Sequence, residues 1–385
     1  MNRRISLGIV GVGSFGQCFV QLFRDHPWVK RLALCDLDGE RLASVAGRFG
    51  IAETYRSLDE ICGTDIEALA IITQPWLHAP QAIAAMQWGK HVYSAVPIIS
   101  LADGDEMLDW CDKLIHTCKH TGMHYMMGET SHYRPEAMYC RRRAAENAFG
   151  HFVLAQGEYF HDVDDPGCNL RDVSKSRWGN KWDMSKSGGV PMHYPTHSLG
   201  GLLSVMRAHA VTVSAIGYAM PGDDWFRTDA EAGNVFGNET AFFRLSNGAA
   251  ARLCEYRRIG HYCNEGFQLF GTEGCFSDGP GGCHWVTKQG KQPVALEQMR
   301  EPLPEEIAQA WRRSFGEKDF YGGHGGSHAY LVHEFVDAVA HDRSPAINAW
   351  QAARYFVPGI LAHKSALRDG KVLKVPDWGD GPAKE

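Results

Sequence analysis

The stretch Ile5-Ser6-Leu7-Gly8-Ile9-Val10-Gly11-Val12-Gly13-Ser14-Phe15-Gly16 stands near the start of the chain and decides its fold. The apolar run Ile5 to Val10 reads as a buried strand, and it ends on glycines spaced Gly-x-Gly-x-x-Gly. Beyond them Phe19, Val20, Leu22 and Phe23 recur at helical spacing over Gln17 to Arg24. The pattern is strand, tight turn, helix. A second apolar run, Arg31 to Cys35, then ends in Asp36.

In that setting Gly11 permits the turn, Gly13 lets backbone approach a pyrophosphate, and Gly16 allows close packing of helix on strand. With Ser14 and Phe15 in the turn, the helix N-terminus attracts phosphate. Asp36 stands where a carboxylate accepts hydrogen bonds from ribose hydroxyls and repels a 2′-phosphate, and Leu37 and Asp38 offer no compensating cation. The expected cofactor is NAD rather than NADP.

Working outward, helices over Gly39 to Phe49, Ser57 to Ile61, Ala79 to Trp88 and Ala102 to Thr121 alternate with strands at Ala68 to Ile72, His91 to Ser94 and His124 to Met127. Repeated strand-helix units predict an α/β Rossmann domain, a doubly wound parallel sheet, over residues 1–128. After that the strands lengthen and follow one another: Phe152 to His161, Val211 to Met220, Glu239 to Leu245, Ala249 to Arg257 and Gly266 to Phe270, with Asn247-Gly248 as a hairpin turn. Residues 129–385 are therefore expected to form an α+β domain with a largely antiparallel open sheet. Helices at Ser327 to Ala340 and Ala349 to Arg368 should pack back on the body.

Composition fits this reading. The 385 residues are 44% hydrophobic and 22% charged, ample for two cores. A net charge of −6 without a long basic run argues against nucleic acid or an anionic membrane as partner; the triplet Arg141-Arg142-Arg143 reads as a solvated helix face. The chain enters a strand straight after Met1-Asn2-Arg3-Arg4, which leaves no room for a secretory segment and predicts a cytoplasmic protein. Eleven cysteines without a CxxC pair suit reduced, buried thiols.

Four motifs together carry a resemblance. The glycine turn, Asp36, the strand-turn Thr73-Gln74-Pro75-Trp76-Leu77-His78 and the strand Gly89-Lys90-His91-Val92 are similar to those of the Gfo/Idh/MocA oxidoreductases. So is the closing segment from Pro358 through Val375-Pro376-Asp377. The resemblance covers essentially the whole chain and implies that Thr73, Gln74, Trp76, His78 and Pro97 lie near the nicotinamide. It also implies a homo-oligomer, dimer or tetramer, built on the second sheet. One departure stands out. Where the family's dehydrogenases carry Glu-Lys-Pro, this chain has Ala95-Val96-Pro97, so the lysine that assists proton transfer is missing.

The block Gly188 to Gly200, with its core Tyr194-Pro195-Thr196-His197, resembles that of the NAD-dependent glycoside hydrolase branch typified by bacterial α-N-acetylgalactosaminidases, glycoside hydrolase family 109. Glu129 and Tyr159 are similar to the glutamate and tyrosine that this branch sets around its sugar. The resemblance implies oxidation of the sugar C3 hydroxyl, loss of the aglycone by elimination, addition of water and re-reduction, with no net redox change. Two rival readings are a sugar or polyol dehydrogenase that releases NADH and an NAD- or sugar-binding protein without turnover.

Within the first reading His197 is the candidate base for the C3 hydroxyl. Tyr159 is the candidate for the C2 proton, and a phenol of pKa about 10 then needs a nearby cation, with His161, Arg171 or Lys181 as candidates. Glu129 and Tyr194 are further acid-base or substrate groups. His193 is expected one helical turn from His197 on the same face, where the pair grips substrate or a metal; no zinc motif is complete, so no metal is expected. Arg171, Lys175, Arg177, Trp178, Lys181 and Trp182 form a basic, aromatic segment suited to a sugar with an anionic substituent, or else a solvated loop. His324, in the glycine-rich stretch Gly322 to His328, belongs either to a lid over the site or to a connector.

Overall fold

All six residues of Ile5–Val10 are buried, as expected of a strand covered on both faces. In the computed structural model, which describes residues 3–165, 189–229, 233–279, 281–316 and 320–381, this strand is β1. It pairs in parallel with β2 (Val29–Cys35) and β4 (Ala68–Ile71). With β3 (Thr54–Tyr55), β5 (His91–Ser94) and β6 (Tyr125–Met127) it builds a six-stranded sheet in the order β3-β2-β1-β4-β5-β6. Every pairing in this sheet is parallel. The order reverses between β1 and β4, and a crevice opens beyond the carboxyl ends of strands at such a point.

Local signals explain the helix boundaries. Asp38 caps the helix Gly39–Phe49 by accepting from the Arg41 N–H, and Gly50 ends it in the left-handed region at φ 65°. Asp103 caps Gly104–Thr121 in the same way, and Gly122 closes it at φ 69°.

The second sheet has nine strands: β7 (Phe152–Phe160), β8 (Ala210–Tyr218), β9 (Asn238–Leu245), β10 (Ala250–Tyr256), β11 (Phe267–Gly271), β12 (Cys275–Ser277), β13 (His284–Thr287), β14 (Gly290–Pro293) and β15 (Leu373–Lys374). Their order is β14-β13-β12-β11-β7-β10-β9-β8-β15. The sheet is antiparallel except at its centre, where β7 and β10 run parallel. Parallel neighbours need a long crossover, and the chain between them includes the helix Thr196–Met206, which lies against β7, β10 and β11. The helices Ser327–Ala340 and Ala349–Ala366 pack back on the body, the first on β1, the second on β8 and Gly104–Thr121.

Some sequence expectations need correction. β12 to β14, three or four residues each, are too short for an alternation to show, and the helix Glu305–Phe315 went unforeseen although Ile307, Ala308 and Trp311 are buried on one face. The arginine triplet is half-buried. Arg141 donates to the His132 carbonyl at 2.5 Å and to Ser204 at 3.0 Å, and Arg142 to the Gln298 and Met299 carbonyls. Among the described residues nine cysteines are free, but Cys263 is disulfide-bonded. Among the described residues no helix is long and apolar enough to cross a membrane.

Candidate active site

The glycine turn is built as its spacing demands. Gly11 adopts φ +91°, and a Cβ there would meet the Ile72 carbonyl oxygen at 2.4 Å. A Cβ on Gly16 would sit 2.0 Å from the Gly11 oxygen, whereas one on Gly13 would meet nothing within 4 Å, so the backbone at Gly13 faces open space. The helix Gln17–Arg24 that follows has no acidic residue in its first turn and no side-chain cap, which leaves its positive end to an anion.

Asp36, nearly buried, accepts the Val12 and Asp38 N–H groups at 3.0 and 2.9 Å. A cation does stand beside it. Because Asp38 caps the next helix, Arg41 in the first turn curls back, 2.9 Å from Asp38 and 3.5 Å from Asp36. On the far side of the crevice His78, whose pKa burial lowers, stands with Nδ1 2.8 Å from the Pro97 carbonyl oxygen and Nε2 3.1 Å from that of Thr73. These groups, with Ser14, Phe15 and Gln74, line a cavity of about 450 Å³. Trp76 does not line it.

The same cavity runs on to Thr130, Tyr159, Tyr194, His197, Arg257 and His324. Among the described residues His197 has three polar neighbours there. Its Nδ1 lies 2.8 Å from Glu129 and 3.3 Å from the Thr130 hydroxyl, and its Nε2 lies 3.1 Å from the Tyr194 hydroxyl. Glu129 is fully buried. Burial alone would raise its carboxyl, but the His197 charge and hydrogen bond and the Ser131 N–H outweigh that and hold it at about 2. The Tyr159 ring stacks on His161 at 3.8 Å and on His197 at 5.8 Å.

This arrangement joins a glycine-rich turn and a carboxylate-bonded histidine in one cavity. A model of the Gfo/Idh/MocA oxidoreductase family, NAD-binding Rossmann fold, matches residues 5–122, and one of the glycosyl hydrolase 109 C-terminal domain matches residues 240–385. Residues 5–122 thus match the Gfo/Idh/MocA family and residues 240–385 the glycosyl hydrolase 109 branch. A glycosyl hydrolase family 109 protein of Streptomyces niveus is 24% identical over 99% of this chain and 78% of its own length. An alpha-N-acetylgalactosaminidase of Bacteroides fragilis is 28% identical over 53% of this chain and 49% of its own. The solved structure of levoglucosan dehydrogenase with NADH and levoglucosan has a TM-score of 0.76 at 18% identity, covering 97% of this chain and all of that one, a likeness of fold.

NAD is the cofactor, and the open face at Gly13, the bare helix end and Asp36 fit its pyrophosphate and ribose. Val96 lines the cavity.

His193 departs from expectation. It closes the short turn Pro191–His193, Tyr194 at φ −127° breaks the helical path, and His197 belongs to a new helix, so the two histidines do not share a face. His193 is buried outside the cavity against His363, with ring centres 5.2 Å apart. Burial and the neighbouring His363 push its pKa well below the usual value. Arg171, Trp178, Lys181 and Trp182 lie outside the described residues. His324 does line the cavity. Its Nδ1 is 2.9 Å from His328, which stacks on Phe19 of the first helix. Among the described residues no group of His, Cys, Asp or Glu is arranged to hold a metal ion.

Sequence reasoning missed Arg257 and Glu255. Along β10 and just beyond, Ala251, Leu253, Glu255 and Arg257 alternate as buried positions; two charges at inward positions of an apolar alternation were the available signal.

Proposed function

We propose that this chain is an NAD-dependent glycoside hydrolase that works through transient oxidation of the sugar at C3, elimination of the aglycone, addition of water and re-reduction. The observation that carries the reading is His197, fixed between a buried carboxylate and a cavity-facing hydroxyl. Bound NAD supplies a reversible two-electron acceptor for the C3 carbon.

The chain's own residues do the rest. Glu129, ionised behind Nδ1, keeps the proton on that nitrogen and leaves the Nε2 lone pair toward Tyr194 and the cavity. His197 then takes the C3 hydroxyl proton and later returns it. Tyr159 removes the C2 proton once the neighbouring ketone has acidified it. Val96 offers no ionisable group at the position of the family lysine, which weighs against simple dehydrogenation as the net reaction. His324 contacts the sugar or its aglycone from the glycine-rich loop.

We assign cofactor binding to residues 1–128 and sugar binding to residues 129–385. A homo-oligomer, dimer or tetramer, is supported by exposed apolar side chains on β8 and β9, namely Ile216, Tyr218 and Phe242.

The deciding experiment is hydrolysis of a panel of aryl α- and β-glycosides in deuterated water, following aglycone, deuterium at C2 and NADH. Aglycone release with C2 deuteration and no accumulating NADH is expected. Stoichiometric NADH without aglycone would make the chain a dehydrogenase, and silence on every sugar would make it a binding protein.

A further inference from the structure

The register of the central strands brings a second charged pair to the sugar end of the cavity. Glu255 on β10 lies level with Tyr159 on β7. Alternate residues share a face, so Tyr159, Glu255 and Arg257 all lie on the side covered by the helix Thr196–Met206. Glu255 is fully buried and Arg257 nearly so, and they form an ion pair at 2.8 Å. The other carboxylate oxygen of Glu255 accepts the hydroxyl of Ser198, the residue after His197.

Arg257 donates from its second terminal nitrogen to the Tyr159 and Tyr256 carbonyls, at 3.2 and 3.3 Å. Its guanidinium carbon stands 4.6 Å from the centre of the Tyr159 ring. Replacing a buried ion pair by apolar residues of similar volume is often neutral or stabilising, so packing alone gives no reason for a charged pair here.

We propose that Arg257, anchored by Glu255, is a positioning residue for Tyr159: it fixes the ring at the sugar site and supplies the positive charge that lets the phenol act as a base. The proposal rests on the reading of Tyr159 as the C2 base.

His161, expected from the sequence as a candidate cation, does not serve. Burial, and then the charge of Arg257, push its pKa down to about 3. Among the described residues His197 at 5.8 Å and Tyr194 at 6.4 Å also stand around the ring, while the candidate cations Arg171 and Lys181 lie outside the described residues. Glu265 stands 3.3 Å beyond His161 and is paired with Arg134. Glu239 on β9 repels Glu255; burial pushes the Glu255 carboxyl up to about 7 despite Arg257.

The test is the titration of Tyr159 itself in NAD-loaded enzyme carrying ring-labelled tyrosine, followed by NMR and assigned by the resonance lost in Tyr159→Phe. Tyr159 should titrate below the ordinary phenol range near 10. Arg257→Met should raise it by about one pH unit or more, and Arg257→Lys, which keeps the charge, by less. Glu255→Gln keeps an acceptor for Arg257 and a partner for Ser198 but removes the opposing charge, so it should lower the titration. A role in packing alone would not give shifts of opposite sign. An unchanged titration in Arg257→Met, or a rise in Glu255→Gln, overturns the proposal; should Arg257→Met fail to fold, Arg257→Lys and Glu255→Gln decide by their signs. The titration needs no turnover. A protein without glycosidase activity would refute the proposed function, whereas an active enzyme with an unshifted Tyr159 would refute only this inference.

Discussion

Gly157 on β7 lies so close to Ser198 that a Cβ at residue 157 would stand 2.0 Å from the Ser198 carbonyl oxygen. The contact sets the distance between the strand that carries Tyr159 and the helix that carries His197. Gly157→Ala forces the two apart. The expected cost is about 1–3 kcal/mol of stability from overpacking, read as a lowered Tm. A fall of about a hundredfold in kcat should accompany it, because catalytic groups tolerate little displacement.

Glu129 acts through His197. Glu129→Gln removes the charge that favours one tautomer and should lower kcat about a hundredfold or more with little change in KM. Stability should respond to pH as well. A carboxyl held at about 2 in the fold, against 4.5 ordinarily, binds protons more weakly folded than unfolded. The resulting stabilisation, roughly 3 kcal/mol, is fully present above pH 4.5 and is lost as pH falls toward 2. Denaturant melts of wild type and Glu129→Gln across that window should converge at the acid end.

Arg41 makes cofactor choice depend on a single carboxylate. Asp36→Ser removes the repulsion of a 2′-phosphate and leaves Arg41, still paired with Asp38, beside it, so the ratio of NADP to NAD affinity should rise about tenfold or more, on the scale of a charge-assisted hydrogen bond. Calorimetric titration of both cofactors measures the ratio. Adding Arg41→Ala to Asp36→Ser should cancel most of the gain.

His193 and His197 should separate cleanly under mutation. His197→Ala is expected to lower kcat by about two orders of magnitude or more. His193→Gln, a change in a buried neutral ring outside the cavity, should cost about 1–3 kcal/mol in Tm measurements. It should leave the shape of the pH-rate profile unchanged. A kcat loss in His193→Gln as large as that in His197→Ala would return His193 to the catalytic set.

Much of the cofactor half was legible because its parts are local. Gly11, Gly13 and Gly16 answer to steric limits within one turn, and Asp36 ends the next strand in a fixed unit. Arg41 was not legible, since its approach to Asp36 follows from the capping of a helix by Asp38. On the sugar side, Tyr194 and His197 were found together because they are three residues apart. His193, equally close in sequence, was misplaced because an interrupted helical path looks the same as a continuous one when only spacing is read.

The sequence by itself determined the layered architecture and the nucleotide turn, since each depends on periodicity or sterics over a few neighbouring residues, and the resemblance offered His197 as the candidate base. Tertiary structure decided which partners that histidine has and which cation faces Tyr159. Glu129 reaches His197 across 68 positions, and Arg257 reaches Tyr159 across 98, through the parallel pairing of β7 with β10. Such contacts are fixed by sheet register and by how closely a helix can approach a glycine, quantities that exist only once the chain has folded.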